Sequence, residues 1–129
     1  MGAVEEPVRV VHYQQVEPIA LPGGSWSRMV LTGANVPGIS SALGYSVFRP
    51  GTATASVKHV VEEVAFVVEG SGELRLDDRA VPFGPGEALF IAPHTWHTVA
   101  NTGDGDVVMV FMFPHPEYPP TERRPAEGG

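Results

Sequence analysis

Residues 51–70, GTATASVKHVVEEVAFVVEG, and residues 86–101, GEALFIAPHTWHTVAN, are the stretches from which the fold and the site of this chain are predicted. Both are rich in β-branched and aromatic residues and are bounded by glycine or asparagine, a composition typical of strands between tight turns. His59, Glu63 and His97 fall at the ends of the predicted strands. We therefore expect these three side chains to meet in space.

Side chains alternate between the two faces of a strand, and this alternation groups the neighbours of the three residues. Val57 shares a face with His59, and Val99 shares one with His97. If these faces line a barrel, two imidazoles converge there with the Glu63 carboxylate, which needs a partner to offset its desolvation. Two histidines and one carboxylate suit Fe(II), Mn(II), Ni(II) or Zn(II), although a single histidine is more often a hydrogen-bonded bystander than a ligand.

The rest of the chain also predicts short strands between Gly, Pro, Asn and Asp turns, with no sustained helical period. The predicted strands are residues 8–16, 25–32, 42–49, 57–61, 63–69, 73–77, 80–83, 88–92, 96–101 and 106–113. This spacing favours an all-β fold, a small antiparallel β-barrel or jelly roll, ordered over about residues 8–113. The tail, residues 114–129, is too rich in proline for a ladder. We expect Tyr118 to pack on the barrel or on a second subunit, disorder after Thr121, and fraying of residues 1–6.

Length and composition narrow the class of protein. The 129 residues predict one domain, and the absence of cysteine excludes disulfides, thiolate metal ligands and cysteine nucleophiles. The net charge is −7 and the eight cations, Lys58 and seven arginines, are scattered, so no nucleic-acid partner is expected. No segment is apolar enough to cross a bilayer and the first residues do not resemble a signal peptide, so we expect a cytoplasmic protein with no membrane partner.

The two stretches resemble the paired motifs of the cupin superfamily, G-x5-H-x-H-x3-E-x6-G and G-x5-P-x-G-x2-H-x3-N. The matching positions are Gly51, His59, Glu63, Gly70, Gly86, His97 and Asn101. The resemblance implies a small single-domain cupin with a double-stranded β-helix fold and a divalent metal bound by His59, Glu63 and His97. It also implies a homodimer, for which exchange of the N-terminal strand is a natural route.

The chain departs from these motifs at three positions. Val57 occupies the place of the first histidine, so one of the usual four protein ligands is absent and more coordination positions stay open. Ala92 and His94 replace the proline and the glycine of the second motif, and His94 is interpreted as a residue of the rim. His12 and His115 have no motif context and are interpreted as exposed polar residues.

The alternation of side chains also predicts a mostly apolar cavity beside the candidate ligands. Its predicted lining, the substrate pocket, is Ser46, Phe48, Val57, Ala65, Val67, Val99, Met109, Phe111 and Phe113. Apolar walls with a few convergent polar groups are typical of small-molecule sites. We therefore expect a substrate with apolar, aromatic or polyketide-like area and one metal-seeking carbonyl or hydroxyl, as in secondary metabolism.

Three functions follow, and the sequence leaves the choice open. In the first, a metal-dependent cupin enzyme uses His59, Glu63 and His97 as ligands and catalytic residues, in a dioxygenase, isomerase, decarboxylase or cyclase reaction. In the second, a metal-free isomerase or cyclase uses Glu63 as general base with a histidine, and burial raises the pKa of Glu63 toward neutrality. In the third, the barrel binds a small molecule without catalysis.

Overall fold

The computed structural model describes residues 7–125 and places them in an all-β fold, which confirms the predicted fold class. Among the described residues the helices are two short 3₁₀ turns, Tyr13–Gln15 and Pro22–Gly24, and neither has the length needed to span a membrane. The strands are β1 (Pro18–Ala20), β2 (Trp26–Leu31), β3 (Ala42–Phe48), β4 (Val57–His59), β5 (Glu63–Glu69), β6 (Gly72–Arg75), β7 (Ala80–Phe83), β8 (Ala88–Ile91), β9 (Thr98–Ala100), β10 (Val107–Phe113) and β11 (Thr121–Arg123).

The strands form two layers of antiparallel sheet. One layer is a six-stranded sheet in the order β1-β2-β3-β10-β5-β8. The other combines a three-stranded sheet, β7-β6-β9, with the two-stranded sheet β11-β4. Two isolated bridges, Ala53 to Ala100 and Val57 to His97, connect the segment containing β4 to the segment containing β9. This second layer therefore brings the two motif stretches next to each other.

The core lies between the layers, and one face of β10 is fully buried against it. The inward residues of this strand are Val107, Met109, Phe111 and Phe113, all of which are buried. Phe111 pairs with Gly44 of β3, and a Cβ atom at position 44 would collide with the phenyl ring. Glycine is accepted inside β3 because its missing side chain leaves the space that this ring fills.

The predicted strand over residues 8–16 is wrong, since the chain forms the Tyr13–Gln15 turn there and pairs first in β1. Side chains explain the difference. His12 Nδ1 accepts a hydrogen bond from the Gln14 backbone N–H, and the Gln15 side-chain oxygen accepts one from the His12 backbone N–H. These local bonds offer the backbone an alternative to a ladder.

The C-terminal tail is also more ordered than predicted. Residues 114–120 are rich in proline, but the proline-free triplet Thr121–Arg123 keeps its backbone donors and pairs with β4 in register Thr121 to His59. The ordered sheet therefore extends beyond residue 113, and the prediction of disorder after Thr121 is wrong for this strand. The expected fraying of residues 1–6 and the end of the tail, 126–129, lie outside the described residues.

Two turn glycines with left-handed backbones allow a matched test of packing at the ends of β5 and β7. Gly70 has φ +87° and a Cβ atom there would collide with the Asp106 carbonyl, whereas Gly86 has φ +84° and open space around it. Gly86→Ala should cost about 1–2 kcal/mol from backbone strain alone. Gly70→Ala should cost at least about 1 kcal/mol more, because rigid backbone must move. Urea unfolding of both variants measures the difference, and equal losses would contradict the packing.

Candidate metal centre

The structure brings His59, Glu63 and His97 together, as the two motif stretches predicted. Nε2 of His59 lies 3.3 Å from Oε1 of Glu63, and Nε2 of His97 lies 3.4 Å from the same oxygen. One ligand atom from each of the three residues lies within 4.8 Å of the other two. In the part of the chain that the structure describes, this is the one cluster of three or more potential ligand residues found.

Strand ends and one pair of backbone hydrogen bonds place the three side chains. His59 ends β4 and Glu63 begins β5, so the short turn between the strands sets the carboxylate beside the imidazole. The backbone of Val57 exchanges two hydrogen bonds with that of His97, of 3.0 Å and 2.9 Å. Because side chains two residues apart share a face, His59 and His97 are thereby directed to the same side of the sheet.

Each imidazole is held through its Nδ1 atom. His97 Nδ1 lies 2.8 Å from the Thr95 backbone carbonyl, and since a carbonyl only accepts, this nitrogen carries the hydrogen. His59 Nδ1 lies 2.7 Å from Oγ1 of Thr121. A histidine that binds a metal through one ring nitrogen nearly always uses the other in this way. The hydrogen bonds thus leave both Nε2 atoms directed at the Glu63 carboxylate.

Burial and charge oppose each other in this cluster. Burial alone raises the pKa of Glu63, but hydrogen bonds from His59 and His97 and their charges outweigh it, so the pKa lies below its usual range. Burial lowers the pKa of His97, but the bonds to Glu63 and to the Thr95 carbonyl, with the Glu63 charge, raise it overall. The prediction that burial raises the pKa of Glu63 toward neutrality is therefore wrong, because the two imidazoles compensate the carboxylate.

The donor set fits a divalent cation. Two imidazole nitrogens and a carboxylate oxygen are the ligands that Fe(II), Mn(II), Ni(II) and Zn(II) accept, and three protein ligands leave positions for exogenous ones. Both histidines are only 4% exposed, so a bound ion would be shielded from bulk water on their side. The distances between the two Nε2 atoms and the Glu63 carboxylate also allow a hydrogen-bonded acid and base pair, so acid and base catalysis without a metal is equally compatible with the geometry.

A cavity of about 110 Å³ opens onto the three side chains. Of the residues predicted to line it, the structure places on its wall Ser46, Phe48, Val57, Val99, Met109, Phe111 and Phe113. Ala65 and Val67 face the same interior but pack in the core cluster, which also contains Phe83 of β7, instead of on the wall. Alternation predicted the face of β5 correctly, but it carries no information on depth along the strand.

Sequence reasoning missed the part of the wall that comes from loops and from the tail. These residues are Leu21, Pro22, Ser27, Thr54, Ala55, Tyr118 and Arg123. Tyr118 packs edge-on against His59 and against Phe113, with ring centroids 5.5 Å apart in both pairs. The proline-free triplet after Pro120 was the available signal that the tail returns to the barrel.

The other motif residues and histidines have structural roles. Asn101 donates hydrogen bonds to the Phe48 and Gly105 carbonyls and accepts one from Gly103 N–H, so it secures a turn. His94 is exposed and has φ +62°, the left-handed conformation expected where the motif has glycine. His12 caps the first 3₁₀ turn and His115 bonds to the backbone of Glu117, so neither reaches the cluster.

Fold and site together define a double-sheet all-β protein with a His-Glu-His centre inside its barrel. The cupin domain family matches residues 44–113, more than half of the 129 residues. The chain belongs to the cupin family, which confirms the resemblance seen in the two motifs.

Relatives and solved structures are consistent with this assignment. The chain is 32% identical to Protein SchB of Streptomyces halstedii over 88% of its own length and 85% of the relative's. It is 35% identical to Polyketide synthase CurC of Streptomyces cyaneus, over 80% of this chain and 67% of that protein. The crystal structure of the polyketide cyclase RemF from Streptomyces resistomycificus matches with a TM-score of 0.75 and 25% identity, covering 94% of this chain and 88% of that one.

The opposite pKa shifts of Glu63 and His97 predict how the stability of the metal-free protein depends on pH. The Glu63 contribution is complete above the ordinary pKa of 4.5 and is lost as pH falls through its lowered value. The His97 contribution is complete below the ordinary pKa of 6.5 and is lost as pH rises through its raised value.

The free energy of unfolding should therefore be largest between pH 4.5 and 6.5 and should decline on both sides. Urea unfolding across this range measures it, in buffers with chelator. Glu63→Gln is the control, since it removes the carboxylate on which both shifts depend and should flatten the profile. A wild-type profile parallel to that of the variant would contradict the coupling.

Proposed function

We propose that this protein is a metal-dependent cupin enzyme that acts on an aromatic or polyketide-like small molecule in secondary metabolism. The observation that carries the proposal is the convergence of two imidazole Nε2 atoms and one carboxylate beside an apolar cavity. Among the possible reactions we favour cyclisation, which is supported by the similarity to the polyketide cyclase RemF and to Polyketide synthase CurC.

The cavity supports a substrate with an aromatic or flat apolar portion. Phe48, Phe111 and Phe113 provide ring surface, and 110 Å³ accommodates no more than about one ring, so the rest of a larger substrate would extend into the mouth. The hydroxyls of Ser27 and Ser46 lie 2.6 Å apart in the same wall. Each hydroxyl has one hydrogen, and only one of the two is used between them. The other is available to a substrate oxygen.

His59, Glu63 and His97 would hold the metal, which when bound supplies a Lewis acid for a substrate carbonyl or hydroxyl oxygen. The chain itself supplies orientation and exclusion of water. The phenylalanine rings restrict the plane of the substrate, and the serine pair offers a hydrogen bond along the same wall. Tyr118 covers His59 from the tail, which keeps water from the imidazole on that side.

A metal-free acid and base mechanism is the second candidate, and the geometry of the cluster supports it. Nε2 of His97 lies 3.4 Å from Oε1 of Glu63, which places a proton donor beside a proton acceptor in one apolar cavity. The lowered pKa of Glu63 makes its carboxylate a weaker base than the sequence-based hypothesis assumed. Val57, in place of a fourth ligand, is compatible with this chemistry. A binding module without catalysis remains the third candidate.

Homodimer formation, a cytoplasmic location and the absence of a nucleic-acid or membrane partner stay predictions. The outer face of β5 and β8 exposes Phe66 (49%), Val68 (51%) and Phe90 (65%), an apolar surface of the kind that a partner subunit covers. Sedimentation equilibrium across a concentration series measures the state of assembly.

Substitution of the ligands tests the metal centre. Wild-type protein refolded with Fe(II), Mn(II), Ni(II) or Zn(II) should bind one equivalent of at least one ion, and His59→Ala, Glu63→Gln and His97→Ala should each lose it. Elemental analysis after gel filtration measures the content. His94→Ala and His115→Ala are matched controls, because both histidines lie outside the cluster and should leave binding unchanged. Wild-type protein that retains no ion would overturn the metal proposal.

A second substitution tests whether a histidine at position 57 could act as a fourth ligand of the same metal centre. Val57 lies on the cavity wall and its backbone pairs with His97, so Val57→His would add an imidazole next to the cluster. We expect at least about tenfold tighter metal binding, or about 1.4 kcal/mol, measured by competition with a chelator. Val57→Leu is the control for side-chain volume and should not tighten binding. Equal affinities in both variants would contradict the assignment.

Turnover separates the candidate functions. The metal-loaded and chelator-treated proteins are each incubated with a panel of poly-β-ketone aromatic precursors, and products are followed by liquid chromatography with mass spectrometry. The proposal expects cyclised product from the loaded protein alone, and loss of product in Glu63→Gln. Product formation that survives chelation and is lost in Glu63→Gln supports the metal-free mechanism instead. Binding without any product supports the third candidate.

A further inference from the structure

The hydrogen bond between His59 and the C-terminal strand is not used by the function described so far. β11 pairs with β4 so that Thr121 lies opposite His59, and residues paired in this way have side chains on the same face. Oγ1 of Thr121 lies 2.7 Å from Nδ1 of His59, whose side chain is only 3% exposed. A residue more than sixty positions away in sequence therefore contacts the buried side of a candidate ligand.

Counting hydrogens shows which atom donates in this contact. Oγ1 of Thr121 also lies 2.8 Å from the Pro119 carbonyl oxygen, which accepts hydrogen bonds and cannot donate them. The hydroxyl has a single hydrogen and gives it to Pro119, so only its lone pairs face His59. Nδ1 of His59 must then carry the hydrogen that joins the two side chains, so Nε2, which lies 3.3 Å from Glu63, is the nitrogen whose lone pair would bind a metal.

We propose that Thr121 is a positioning residue that fixes His59 in the Nδ1–H form and so prepares its Nε2 atom to bind a metal. The proposal rests on the metal centre proposed above. At His97 the backbone carbonyl of Thr95 holds the Nδ1–H form in the same way. Substitution of the Thr95 side chain would leave this carbonyl in place. At His59 the Thr121 side chain forms this hydrogen bond, so the bond can be removed by a substitution that changes neither histidine.

Two substitutions of Thr121 separate its hydroxyl from its shape. Thr121→Val keeps the branched side chain and the strand preference of β11 but removes the hydroxyl, whereas Thr121→Ser keeps the hydroxyl. Glu122→Gln is the control for the strand itself, because its side chain is 72% exposed and contacts Lys58 at the surface. Thermal unfolding of all three variants establishes that each is folded.

The first measurement uses metal-free protein labelled with ¹⁵N. Ring N–H correlations should show a protected His59 Nδ1–H signal in the wild type, in Thr121→Ser and in Glu122→Gln, and its loss or rapid exchange with water in Thr121→Val. The assignment to His59 comes from the spectrum of His59→Gln. Absence of this signal from the wild type, or its persistence in Thr121→Val, would overturn the proposal.

The second measurement is metal affinity, determined by competition with a chelator. Loss of a partner that orients a ligating histidine typically weakens binding about 10–100-fold, and we expect this loss in Thr121→Val with rescue in Thr121→Ser. Equal affinity of the wild type and Thr121→Val would also overturn the proposal. If the wild type binds no metal yet the Nδ1–H signal depends on the hydroxyl, the positioning by Thr121 stands and the metal centre fails.

Discussion

A carboxylate inside an apolar barrel must be compensated, and the compensation of Glu63 by His59 and His97 is the constraint on which the site depends. Charge buried without a partner is costly, whereas hydrogen bonds from two imidazoles hold the pKa of this carboxyl below its usual range. The compensation requires two distant strand segments to stay in contact. The paired backbone hydrogen bonds between Val57 and His97 provide that contact, so sheet pairing and site electrostatics stabilise each other.

The sequence predicts this centre well because short stretches of sequence are sufficient to place each of the three residues. Each candidate ligand lies at the end of a short strand, where a period of two determines the face, and the two motif stretches add the spacing. The sequence does not predict how deep in the barrel a side chain lies. Ala65 and Val67 lie on the predicted face of β5, yet they pack in the core cluster and not on the cavity wall. Whether such residues line a cavity or fill a core depends on what packs against them from the opposite sheet, which strand alternation does not describe.

The two ends of the chain show why predictions of secondary structure from composition were wrong there. In residues 8–16 the β-branched run predicts a strand, but His12 and Gln15 bond to nearby backbone and form a turn instead. In the tail the average content of proline hides the triplet Thr121–Arg123, which pairs with β4. In both places a few specific hydrogen bonds decide the structure, and such bonds depend on partners that a composition average does not contain. Thr121 was missed for that reason, whereas Tyr118 packs on the barrel as expected.

Pairing of β11 with β4 also has a consequence for the order in which the protein is made. Chains fold as they are synthesised from the N-terminus, and His59, Glu63 and His97 are all synthesised before Thr121. A nascent chain that has formed the rest of the barrel therefore holds the three side chains but lacks the hydroxyl that bonds to His59. The hydrogen bond to His59 forms only once β11 has paired with β4. A candidate metal centre with all its hydrogen bonds therefore indicates that the sheet is fully assembled.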